Sequence, residues 1–203
     1  MQRKNRVAII LNTPRLGVEV KEKNVICADG GYLHLPVGAF FNVTVVGDFD
    51  SLKNVDVPYE KIIVNREKDF TDGLLSLKVA KEKGYDCVTL YGIDGGRIDH
   101  VYNNISLLKS AKLMGINAKA ETETATILYK DKGTYEFNLP LGTGFSILPY
   151  CEKVIVESST GLYYPYENLT LYREDTRGIS NVTTNEKVSI TINEGDCLVF
   201  ILK

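Results

Sequence analysis

The chain has little of what soft-metal and redox sites are built from. It holds only two histidines, His34 and His100, and they stand far apart in sequence. Its four cysteines, Cys27, Cys87, Cys151 and Cys197, form no C-x-x-C pair. A zinc ribbon or thiol-redox motif is therefore not expected, and three of the cysteines sit in apolar strand-like runs, where a reduced buried thiol is the default. Tryptophan is absent, and so is any surplus of charge, the net value being −2. That balance argues against nucleic acid or an anionic membrane as partner, while leaving room for a local basic pocket. No apolar run approaches transmembrane length. Arg3, Lys4 and Arg6 precede an apolar stretch, but it covers only Val7 to Leu11 before Asn12-Thr13-Pro14, too short for a signal peptide and better suited to a first strand. A reducing, cytoplasmic location is the expectation. Sequons begin at Asn42, Asn104, Asn168 and Asn181 and carry no weight without secretion.

What the chain does have is a core-forming composition, 44% hydrophobic over 203 residues, enough for one large domain or two small ones. The first part alternates. Val7–Leu11, Asn24–Ala28, Val43–Val46, Lys61–Val64 and Asp86–Tyr91 read as strands. Thr71 to Lys83 and Arg97 to Met114 read as helices, stopped by Gly84 and Gly115. Phe70, Leu74 and Leu77 mark the inner stripe of the first, and Ile98, Val101, Tyr102 and Ile105 that of the second. The fold class expected is α/β: a mostly parallel α/β/α sheet domain over residues 1–130. Beyond it, Thr134–Asn138, Phe145–Pro149, Lys153–Glu157, Lys187–Ile192 and Cys197–Leu202 are short runs broken by Gly, Asn and Pro. They predict a small antiparallel β-sandwich over 131–203, with the boundary within 128–134.

Four acidic and glycine-rich motifs fall where these strands end or helices begin. Carboxyl ends of strands in an open α/β sheet converge on one edge, where ligands bind. Ala28-Asp29-Gly30-Gly31 ends the second strand, as a tight turn or as a carboxylate beside space for a ligand. In Gly47-Asp48-Phe49-Asp50-Ser51 the carboxylates at i and i+2 point the same way if the backbone is extended. Two like charges held together call for a cation or a proton, and an oxygen-only set favours Mg²⁺ over zinc. Lys68-Asp69-Phe70-Thr71-Asp72 opens a helix; Thr71 and Asp72 are also ordinary helix-start residues, and Asp72 offers a third carboxylate. Gly95-Gly96-Arg97-Ile98-Asp99-His100 leads into the longer helix. There glycines allow close approach of a phosphate, the helix N-terminus supplies free N–H groups, and Arg97 can neutralise charge on a transferring group.

In this order the motifs resemble those of the thiamine pyrophosphokinase family, whose pattern runs A-D-G-G, G-D-F-D-S, D-x-T-D and G-G-R-x-D-H with an Asn soon after, here Asn104. Gly161-Leu162-Tyr163-Tyr164-Pro165 and Arg177-Gly178-Ile179-Ser180-Asn181 are similar to the family's two C-terminal signatures. The resemblance spans nearly the whole chain. It implies diphosphate transfer from ATP to the hydroxyethyl group of thiamine, with AMP released. It implies a homodimer whose active sites are shared between subunits. Carried over residue by residue, Asp48, Asp50 and Asp72 are the implied Mg²⁺ ligands, with Asp29 a further acidic member. Gly30, Lys68, Asp69, Thr71, Gly95, Gly96, Arg97, Asp99 and Asn104 are implied for ATP, and Tyr164, Ser180 and Asn181 for thiamine. Arg97 offsets phosphate charge, and Asp72 or Asp99 accepts the hydroxyl proton. Two departures stand out: Tyr164 occupies a position where some members have tryptophan, and Val182 one where an acidic residue is common.

Three other readings use the same motifs. A related diphosphokinase could act on a pterin alcohol; the C-terminal signatures speak against it. A phosphatase could use Asp48 as nucleophile, though that motif usually follows the first strand rather than the third. A silent nucleotide or thiamine sensor would have no need of Asp48, Asp50, Asp72 and Arg97 together.

Overall fold

A computed structural model describes residues 5–36, 42–52, 56–64 and 69–203. The chain divides into two compact units, Met1–Glu123 and Thr124–Lys203.

In the first unit the strands are β1 (Arg6–Ile10), β2 (Asn24–Ala28), β3 (Asn42–Gly47), β4 (Glu60–Ile63), β5 (Cys87–Tyr91) and β6 (Asn117–Glu121). Their order is β6-β5-β1-β2-β3-β4, and every pairing is parallel. The central strands are continuous Val/Ile/Ala runs because both faces are covered. The chain steps outward from β1 through β4, then returns to lay β5 on the other side of β1. The sheet therefore reverses direction between β1 and β5, and the crevice beyond their carboxyl ends is where such a sheet takes a ligand. Ala8, Ile10, Val25, Cys27, Val43, Val45 and Tyr91 form one face, covered by Leu16, Val18, Val20, Tyr32, Leu35, Phe49 and Tyr59 from loops and 3-10 turns. Burial pushes the Cys27 thiol far up, so this cysteine is an inert core residue.

Helices α1 (Asp72–Glu82) and α2 (Ile98–Leu113) pack against each other. Thr71 caps α1, its Oγ1 accepting the Leu74 N–H at 3.3 Å. The buried stripe of α1 is Leu75, Leu77, Val79 and Ala80, with Phe70 and Leu74 only half-buried. In α2 the expected inner stripe is corrected: Ile98 is 82% exposed and Tyr102 66%. Leu107, Leu108 and Ala111, in the second half of α2, are its buried residues. Apolar residues at helical spacing mark a face to be covered; they do not say by what.

The second unit holds β7 (Ala125–Lys130), β8 (Gly133–Asn138), β9 (Gly144–Pro149), β10 (Lys153–Thr160), β11 (Glu167–Tyr172), β12 (Asn181–Val182), β13 (Lys187–Glu194) and β14 (Cys197–Leu202). It is an antiparallel sandwich: β12-β9-β14-β7 against β11-β10-β13-β8. Phe145, Ile147, Val154, Val156, Leu171, Val188, Ile190 and Val199 fill its core. The units divide ahead of the expected 128–134 because Ala125–Lys130 pairs residue for residue with Leu202–Cys197. Among the described residues no helix is long and apolar enough to cross a membrane.

Candidate active site

A cavity of about 640 Å³ opens in the first unit, where β1, β2, β3 and β5 end and α1 and α2 begin. That volume suits a nucleotide-sized ligand. Its walls include Asp29, Asp48, Thr71, Asp72, Gly96, Arg97 and Asn104, so residues from all four motifs meet in one place. Gly30, Asp50, Asp69, Gly95 and Asp99 do not line it. Lys68 lies outside the described residues.

Asp29 is the most constrained of these groups. It opens the 3-10 turn Asp29–His34 with φ +42, a left-handed conformation that Asp tolerates better than most residues. It is buried, and its Oδ1 makes no hydrogen bond. A carboxylate oxygen out of water and unpartnered is costly, and strain of this kind gathers at functional sites. The fit around it is close. A Cβ at Gly31 would lie 2.2 Å from the Ile10 carbonyl oxygen, so only glycine lets this turn rest on the end of β1.

The Gly47–Ser51 segment differs from the extended run expected. Phe49 has φ +61 and Asp50 starts a second 3-10 turn, Asp50–Leu52. Asp48 Oδ1 accepts the Asp50 N–H at 3.0 Å, so the two carboxylates do not run side by side along a strand. Asp48 faces the cavity while Asp50 does not line it. Among the described residues no three His, Cys, Asp or Glu side chains form a ready-made metal cage. The acidic side chains on the wall, Asp29, Asp48, Asp72 and Asp94, are nonetheless of the type Mg²⁺ takes, and His100 stands on the same wall. Mg²⁺ ordinarily keeps several waters and completes its shell with one or two carboxylates and substrate phosphates. The orphaned Asp29 Oδ1 fits such a hydrated ion.

Arg97 stands at the N-terminus of α2 and caps it without a side-chain bond. Its guanidinium grips Asp99 in a fork, Nε to Oδ1 at 3.2 Å and Nη2 to Oδ2 at 2.6 Å. The bond from Arg97, with help from the His100 N–H, holds the Asp99 carboxyl below the ordinary carboxylate range. Both side chains are largely exposed, so the pair is screened by water and a phosphate can take the guanidinium from it. Asn104 reaches the Ile93 carbonyl at a long 3.5 Å.

Sequence reasoning missed Asn12, Thr13, Pro14 and Asp94 in the cavity wall. The signal was available in topology: β1 is the strand at which the sheet reverses, so the loop after it must border the crevice.

In the second unit Tyr163 and Tyr164 are about two-thirds exposed, their rings edge to face at 4.8 Å. Asn181 is 2% exposed, and its amide is spent on backbone. Oδ1 accepts from the Tyr164 and Val182 N–H groups at 3.0 and 2.9 Å, and Nδ2 donates to the Tyr164 carbonyl at 2.7 Å. Asn181 thus holds Tyr164 in place. Ser180 is exposed with φ +64, and its N–H donates to Ser146 Oγ at 3.1 Å.

A parallel α/β unit with an acidic, glycine-bordered cavity at its sheet reversal, followed by an antiparallel sandwich, has the frame of a nucleotide-handling protein. Two family models match the chain: "Thiamin pyrophosphokinase, catalytic domain" over residues 18–120 and "Thiamin pyrophosphokinase, vitamin B1 binding domain" over 127–196. The chain belongs to the thiamine pyrophosphokinase family, whose members transfer a diphosphate from ATP to thiamine, giving thiamine diphosphate and AMP. Thiamine pyrophosphokinase of Bacillus subtilis is 28% identical over 187 residues, 89% of this chain and 84% of that protein. A crystal structure of thiamine pyrophosphokinase from Bacillus subtilis superposes with a TM-score of 0.85 at 25% identity, covering 98% of this chain and 99% of that one. One from Geobacillus thermodenitrificans gives 0.83 at 25% identity, covering 98% and 97%.

Proposed function

We propose that the cavity at the ends of β1, β2, β3 and β5 is where this chain carries out the family reaction, and that the meeting of Asp29, Asp48, Asp72 and Arg97 on its wall is the observation that carries the reading. The transfer is an in-line substitution at the β-phosphorus by the hydroxyl oxygen of thiamine, with AMP as leaving group. Such reactions are accelerated by positioning and by neutralising charge.

The triphosphate lies along Gly96 and the first turn of α2, whose positive end favours anions. Arg97 exchanges Asp99 for phosphate oxygens and forks onto them, a geometry a guanidinium makes well. Asp48 and Asp72 would hold Mg²⁺, with Asp29 on the same wall; a bound ion there would supply neutralisation of phosphate charge. Asp50 shapes the turn that aims Asp48.

Of the two candidate proton acceptors, Asp72 is the better placed. It lines the cavity, whereas Asp99 does not. Tyr164 presents an exposed ring to the cationic thiamine, with Asn181 fixing its backbone and Ser180 beside it. The match to a vitamin B1 binding domain supports thiamine over a pterin alcohol. A homodimer belongs to the same proposal. Ile98 and Tyr102 in one unit, and Ile179 and Val182 in the other, are exposed apolar side chains that a second copy would cover.

Incubating the purified protein with ATP and Mg²⁺, with and without thiamine, tests the reading. AMP and thiamine diphosphate should form in equal amounts and only with thiamine, and Asp72→Asn should abolish both. Phosphate released without thiamine would contradict it.

A further inference from the structure

The three loops that border the sheet reversal are joined at a residue that belongs to none of the four motifs. Thr13 follows β1 and is 6% exposed. Its Oγ1 donates to the Asp94 carbonyl at 2.7 Å and lies 3.1 Å from the Arg15 carbonyl. One hydroxyl hydrogen serves one acceptor at a time, and the shorter contact is with Asp94. The Thr13 carbonyl is itself engaged by His34 Nε2 at 2.7 Å. A carbonyl only accepts, so Nε2 carries the proton. His34 closes the turn that Asp29 opens, and Asp94 sits in the loop between β5 and α2, just ahead of Gly95-Gly96-Arg97. Thr13 also fills space against that loop, since a Cβ on Gly92 would come within 2.8 Å of its Cγ2. A further side-chain tie to the loop, from Asn104 to the Ile93 carbonyl, is long at 3.5 Å.

We propose that Thr13 is a positioning residue for the polyphosphate: its hydroxyl holds the Asp94 carbonyl so that Gly96 and Arg97 face the cavity, and His34 fixes Thr13 in turn. The proposal rests on the reading of that loop as the triphosphate cradle. Thr13 touches no reacting atom. It couples the Asp29 turn to the Arg97 loop through one side chain and one carbonyl, at the point where the sheet changes direction. Misplacing such a loop by a fraction of an ångström weakens every bond the phosphates make to it.

Two variants separate its hydroxyl from its packing. Thr13→Val keeps the shape and removes the donor; Thr13→Ser keeps the donor and removes the methyl. Hydrogen exchange over residues 92–101, measured without ligand, should speed up several-fold in T13V, the scale of one lost hydrogen bond, and stay near wild type in T13S. In turnover, T13V should raise KM for ATP about ten-fold with KM for thiamine unchanged, and T13S should restore it. His34→Ala should shift exchange in the same direction and provides the test if T13V does not fold. Unchanged exchange in T13V and H34A overturns the clasp, as does T13S behaving like T13V. Faster exchange with unaltered KM for ATP overturns the positioning role. A wild-type protein without thiamine-dependent turnover would refute the functional reading instead, and the exchange data would still decide whether the clasp exists.

Discussion

Replacing Asn181 with alanine should damage the protein before it damages chemistry. The side chain is 2% exposed and satisfies three backbone groups: the N–H of Tyr164, the N–H of Val182 and the carbonyl of Tyr164. Each net hydrogen bond contributes about 1 kcal/mol, and each buried group left without a partner costs about 1–3 kcal/mol. The carbonyl of Tyr164 and the N–H of Val182 border exposed side chains, so water can recover part of that. We therefore expect Asn181→Ala to lose about 2–4 kcal/mol, read as a fall in the urea midpoint at constant m-value. Loss of the anchor on the Tyr164 bend, between β10 and β11, should also raise KM for thiamine while KM for ATP holds. Asn181→Asp keeps both acceptor bonds but sets a second carboxylate oxygen against the Tyr164 carbonyl in a buried site, so at neutral pH it should destabilise at least as much as alanine. The decisive comparison is stability against KM. A variant that unfolds like wild type, within about 0.5 kcal/mol, yet binds thiamine poorly would show that Asn181 contacts the substrate directly, and the scaffold argument would be wrong.

Two further outcomes follow from the first unit. Asp29→Asn should leave the melting temperature unchanged or raise it, because a buried carboxylate oxygen without a partner gives way to a neutral amide of the same shape. Activity at limiting Mg²⁺ should nevertheless drop about 10- to 100-fold; a loss of activity that tracks a loss of stability would contradict this. Asp99 is predicted to be silent in the pH profile. In the free protein its carboxyl is depressed by Arg97, so the pair is fully formed above the ordinary carboxylate pKa and is lost only as pH falls through the lowered value. Between pH 5 and 9 kcat/KM, which reports the free protein, should show no limb that disappears in Asp99→Asn; such a limb would restore Asp99 as the base.

How much of this was legible in the residues alone varied with the physics of each part. The buried parallel strands announce themselves as Val/Ile runs, and Cys197–Leu202 was placed to the residue. β6, Asn-Ala-Lys-Ala-Glu, carries no such run, and Ala125–Lys130 hid at the domain boundary because its partner β14 lies some 70 residues on. The motif residues could be gathered because strand carboxyl ends converge. Their orientation could not: the left-handed Phe49 turns Asp50 out of the wall, and a D-x-D spacing does not reveal that. Ile98 and Tyr102 looked like core because spacing alone does not tell a tertiary contact from a surface awaiting one. Thr13 was invisible because it works through one hydroxyl and one carbonyl, a pairing fixed only once β1, β2 and β5 are neighbours.

The most direct measurement follows the phosphorus atoms. ATP labelled separately at the α and β positions, supplied with Mg²⁺ and thiamine, should deliver the β label to thiamine diphosphate and leave the α label in AMP, and Asp72→Asn should deliver neither. Thiamine monophosphate with ADP keeping both labels, or β label released to water as diphosphate, would mean that the β-phosphorus is not passed to thiamine, and the account of this cavity would fail.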